Sequence, residues 1–93
     1  MKLPIIVKNT SYVEFDTPCY YEDRLGRFFK FYDTGYVTVN TNLICNHFID
    51  IDNPNEYLIK EVREVLEKGK PITEQEFINQ FTITVNHISI LCS

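Results

Sequence analysis

The chain has no tryptophan, only three glycines and three cysteines, and beyond Glu76 no lysine, arginine, aspartate or glutamate. Each shortage excludes something. Three cysteines, Cys19, Cys45 and Cys92, are too few and too odd in number for a disulfide scaffold, and they read as the reduced thiols of a cytoplasmic protein. Gly26, Gly35 and Gly69 are each taken up by a turn or a helix end, which leaves none to build a phosphate-binding loop. C-x-x-C, H-E-x-x-H and G-x-S-x-G do not occur, so the sequence offers no signature for zinc, metalloprotease or serine-hydrolase chemistry and implies no cofactor. No apolar run approaches the ~18 residues of a membrane span. Cations are also scarce. Nine Lys and Arg against 13 Asp and Glu give a formal net charge of -4, with no excess of cations to release counterions from nucleic acid or an anionic membrane.

What is present suffices for one domain over residues 1–93. Hydrophobic residues make up 44% and aromatics 14%, and seven Phe and six Tyr supply much of the area a small core must bury. The opening M-K-L-P-I-I-V-K has too short an apolar run for the core of a signal peptide and reads as a first strand over Leu3 to Val7. Ser11 to Phe15 alternates polar and apolar side chains with the two-residue period of a half-buried strand. Cys19 to Asp23 and Arg27 to Tyr32 flank Arg24-Leu25-Gly26, a short hairpin loop. Asp33-Thr34-Gly35 is a second, leading into Tyr36-Val37-Thr38-Val39-Asn40, β-branched at three of five positions. The spacing predicts that 27–32 pairs with 36–41, and that 43–51 adds a further meander strand.

After residue 51 the period changes. Asn53-Pro54-Asn55-Glu56 is a helix start, with Asn53 as N-cap and Pro54 in the first helical position. Leu58, Ile59, Val62, Val65 and Leu66 then form one apolar stripe. Glu56, Lys60, Glu64 and Lys68 stand four apart on the solvated side, and Gly69 with Pro71 ends the helix. Thr73 and Glu76 form a capping box for a second helix, with Phe77, Ile78, Phe81, Val85, Ile88 and Cys92 as its inner stripe. The β-branched run over residues 82–85 leaves a helix breaking into a strand as the alternative. The reading is an α+β domain: an antiparallel meander of four to five strands (1–51) covered by two C-terminal helices (53–92).

Five kinds of site compete. A tetrahedral metal set from Cys45, His47, His87 and Cys92 is rejected, because a five-residue step puts His87 and Cys92 about 140° apart around a helix. Any of the cysteines could pair with His47 or His87 in a small enzyme, built on Cys45 or His87, but no local motif speaks for it. Asp50-x-Asp52-Asn53-x-Asn55 lacks the glycine of a calcium loop. Arg24, Arg27 and Lys30 interleave with rings and form the nucleic-acid alternative, loosely echoing the aromatic motif of RNA-recognition sheets without its βαββαβ order.

Protein–protein association, with a partner or with itself, is the preferred reading. It rests on an uncharged last helix carrying Ile83, His87 and Ile90, and on a ring-rich outer sheet face of Tyr12, Phe28, Tyr32 and Tyr36. Compact acidic domains without catalytic motifs include many phage and mobile-element inhibitors, which makes a regulatory role of that kind an analogy.

Overall fold

Two hairpin turns set the centre of the sheet. In the computed structural model, Asp23 Oδ1 accepts from the backbone N–H of Leu25 and of Arg27, and Gly26 takes a φ of 77°, the left-handed region glycine enters without steric cost. That turn joins β3 (Cys19–Glu22) to β4 (Phe28–Tyr32), and the turn at 33–34 joins β4 to β5 (Gly35–Val39). β4 and β5 pair antiparallel as expected, but Gly35 belongs to β5 and the turn is two residues, so the register is shifted by one and Phe31, not Tyr32, lies opposite Tyr36. β6 (Ile44–Phe48) follows on β5 in register Tyr36 to His47. Gly35 is closed in here. A Cβ at this position would stand 2.0 Å from the His47 carbonyl oxygen, so only glycine allows β5 and β6 to meet at this point.

The structure describes residues 2–7, 11–50 and 52–92, with side chains from Phe15 onward. β1 (Lys2–Val7) and β2 (Ser11–Asp16) pair as a two-stranded antiparallel sheet of their own. Phe15 links it to the main core, its ring edge-on to Phe31 at 5.6 Å. The other sheet has five strands in the order β6-β5-β4-β3-β7. β7 (Lys70–Pro71), which the sequence reading did not foresee, lies between the two helices and pairs antiparallel with β3.

The helices form where the periodicity places them. α1 runs Glu56–Lys68 and α2 runs Glu74–Cys92, helical throughout its β-branched stretch. The N-cap of α1 is Asn55, not Asn53: its side chain accepts from the N–H of Tyr57 and Leu58. The capping box of α2 is present in both directions. Thr73 Oγ1 accepts from Glu76 N, and Glu76 Oε1 from Thr73 N, each at 3.1 Å.

The two helices cover opposite faces of the sheet. Phe29, Phe31, Tyr36, Ile49, Ile59, Val62 and Val65 form the buried cluster on the α1 face, with Cys19, Tyr21, Leu58 and Leu66 packed on it. Neighbouring strand residues point the other way, toward α2: the Phe77 ring lies 5.5 Å from Tyr20, and Thr84 Oγ1 donates to the Asn40 carbonyl at 2.6 Å. The sheet is therefore the middle of three layers, and each helix has one face of it to itself.

Candidate protein interface

α2 buries little of itself. Of its 19 residues only Phe77 and Thr84 are buried. Gln80 and Ile88 are half-buried, which puts the line of contact with the sheet along 77, 80, 84 and 88. The inner stripe expected from the sequence is thus rotated. Ile78, Phe81 and Val85 stand 42%, 37% and 39% exposed on its flank, and Cys92 is exposed at its end. A hydroxyl takes the place of a core apolar group: Thr84, fully buried, is held by Asn40 and in turn accepts from Gln80 Nε2 at 3.2 Å. Its bond to a strand-end carbonyl orients the helix, and hydrophobicity alone could not have revealed it.

The opposite flank carries the residues the sequence singled out. Ile83 is 59% and Ile90 71% exposed, with His87 exposed between them. Leu91 adds another 63%. Beyond Thr84 no residue of α2 is buried, so the last two turns stand largely clear of the sheet. Six large apolar side chains, three on each flank, stand exposed on one helix that carries no charge after its first turn.

The sheet half of the expected interface is only partly realised. Phe28 and Tyr32 lie on the α2 face, half-buried, with the Tyr32 hydroxyl bonded to Asn46 Oδ1. Tyr36 does not belong with them. It is fully buried on the α1 face, stacked on His47 with ring centroids 4.6 Å apart, and therefore offers a partner nothing. Strand parity accounts for the error, because Phe31, not Tyr32, is opposite Tyr36 in the ladder. Burial, and then Glu61 nearby, pushes ionisation of the Tyr36 hydroxyl far up. Tyr12 falls among the residues whose side chains lie outside the described ones.

The basic alternative is dispersed. Arg27 points to the α1 side, where Nε meets Asp23 Oδ2 at 2.7 Å and Nη1 meets Glu61 Oε1 at 3.0 Å, with the guanidinium 5.2 Å from the Phe29 ring centroid. Its charge is matched twice. Lys30 lies on the other face, 6.0 Å from the Tyr20 ring, and Arg24 is exposed in the turn. These three do not form one patch. An open cleft of about 240 Å³ lies between the β3–β4 turn and α1, but the carboxylates of Asp23, Glu61 and Glu64 balance Arg24, Arg27 and Lys68 around it.

The cysteine and histidine residues are not brought together either. Cys45 and His47 share the α1 face, His47 Nε2 lying 3.3 Å from Thr38 Oγ1. His87 and Cys92 are exposed on α2, across the sheet. Among the described residues no group of three His, Cys, Asp or Glu is placed to hold a metal ion. Burial, reinforced by Asp16, pushes the Cys19 thiol up to about 11, the reverse of what a nucleophile needs.

No family model matches the chain, and no curated protein or solved structure resembles it significantly. The α+β fold of a five-stranded antiparallel sheet and two C-terminal helices therefore stands on its own residues. No helix of the described residues is long and apolar enough to cross a membrane.

Proposed function

We propose that this chain is a small protein-binding domain that acts by association, not catalysis, and that α2 is the surface it uses. One observation carries the reading: a 19-residue helix that buries two residues, exposes six large apolar ones and has no charge after its first turn. Such a surface excludes water only when another protein covers it, and depletion of Lys and Glu is what the centre of an interface requires. A regulatory or inhibitory role, in which a compact domain blocks a target by occupying it, is consistent with that chemistry.

Light scattering and affinity capture at low and high salt test this, comparing the wild type with an Ile83→Glu/Val85→Glu variant whose fold is checked by circular dichroism. Both positions are solvent-exposed, so the variant should fold. The expected outcome is an association, with itself or another protein, that survives high salt and disappears in the variant. Identical behaviour of the two proteins overturns the reading. Retention of nucleic acid alone, lost at high salt, overturns it in favour of Arg24 and Lys30.

A further inference from the structure

The exposed flank of α2 has a pattern that specifies its occupant. Ile78, Phe81, Val85, Ile88 and Cys92 follow one another at steps of three, four, three and four, the spacing of a coiled-coil seam over two heptads. Of these, Ile88 is half-buried and the other four are exposed. Phe77 and Thr84, one position before Ile78 and Val85, hold the helix to its own sheet; Thr82 and Ser89 border the seam on the other side. Neither border carries a charge. From Ile78 to Cys92 a charged partner has nothing to recognise, whereas a surface of the same composition matches it.

We infer that the occupant is a second copy of this chain, its α2 packed antiparallel on the first with the twofold axis passing near Val85. This rests on the reading of α2 as a protein interface. Two features set the partner and its direction. The seam is nearly symmetric about Val85, so that a twofold operation lays Ile78 beside Cys92 of the other copy and Phe81 beside Ile88, the self-complementary contact closed dimers use. Continued one step back, the same heptad places Glu74 on the seam. A parallel pair would set that carboxylate against its own copy, and an antiparallel pair separates the two by more than 30 Å at the helical rise. The antiparallel arrangement also lays the last two turns of each helix, which their own sheet leaves uncovered, beside the sheet-bound half of the other. The five seam residues expose roughly 300 Å² per copy, a small contact, so the dimer is a weak one that forms toward the upper end of the concentration range tested.

The test is light scattering of the full chain over a range up to about 200 µM, with Val85→Glu and Ile83→Glu as separate variants and Ile78→Cys as an orientation probe. The wild type should show twice the 11.0 kDa of one chain. Val85→Glu should raise the dissociation constant at least about tenfold, and Ile83→Glu, on the opposite flank, by less than about threefold. Under mild oxidation Ile78→Cys should form a disulfide from the introduced thiol to Cys92 of the second copy, found by peptide mass mapping. Wild-type Cys92 should not pair with its own copy, because the two lie about 20 Å apart along the axis. A monomer throughout the range overturns the inference and leaves the broader reading to the capture experiment. A dimer broken by Ile83→Glu but not Val85→Glu, or a Cys92–Cys92 crosslink in the wild type, also overturns it while confirming that α2 associates. If Val85→Glu fails to fold, Ile78→Glu and the crosslink decide the matter.

Discussion

Cys19 and Cys92 carry the same thiol in opposite surroundings. Cys19 packs on the aromatic cluster beneath α1, and burial first, then the charge of Asp16, pushes its pKa from 9.0 up to about 11. The raised value means that the folded state favours the neutral thiol. That contribution is complete below pH 9 and is lost as the pH rises through 11. Tyr20, Tyr21 and Tyr36 are raised as well, each by burial first, and push in the same direction. The urea midpoint should therefore hold from pH 7 to 9 and fall from pH 9 to 11. In an alkylation time course at pH 8, Cys92 should react first and Cys19 only as the chain unfolds, which mass mapping would show. Neither difference was legible in the sequence, because a cysteine in a strand and one at a helix end look alike until their neighbours are known.

At the level of the element, local chemistry was readable and orientation was not. Thr73 and Glu76 stand three apart before an apolar run, and the structure closes both hydrogen bonds of that box. Replacing Thr73 by Ala should lower the stability to urea by about 1 kcal/mol, and Thr73→Ser should restore most of it. Equal loss in both variants would show that the hydroxyl does not matter. The seam of α2 has the right period, but period does not fix phase. Ile78, Phe81 and Val85 look like a core stripe, and only the Thr84 bond to the Asn40 carbonyl turns the helix so that the stripe faces outward. A buried threonine among exposed isoleucines contradicts hydropathy, and this departure from rule is what singles out α2 as the candidate surface. In α1 Ile59, Val62 and Val65 lie inward as the spacing says, with the Arg27–Glu61 ion pair at the edge of the same face.

At the level of the molecule, the sheet separates two unlike faces. One holds the aromatic cluster under α1; the other holds a helix that meets the sheet over its first half. Local stability should follow that division. In native-state hydrogen exchange, amides of β4, β5 and α1 should be the slowest, and those of residues 85–92 much the fastest of the helical ones at low protein concentration. The proposed dimer adds that raising the concentration should slow residues 85–92 specifically. Protection of 85–92 equal to that of α1 in dilute monomer would contradict this division.

The sequence by itself determined the order of the main strands and helices, the two hairpins of the sheet, the start of α2 and the apolar face of α1. These depend on turn residues, capping side chains and period, all interactions within a few positions along the chain. The tertiary structure alone decided that the helices take opposite faces, that Tyr36 is buried while Ile78 is not, and that Arg27 meets Glu61. Each of these depends on which parity of a strand meets which helix, a choice made by contacts between residues far apart in the chain, such as Thr84 with Asn40. A sequence of alternating rings is compatible with either choice.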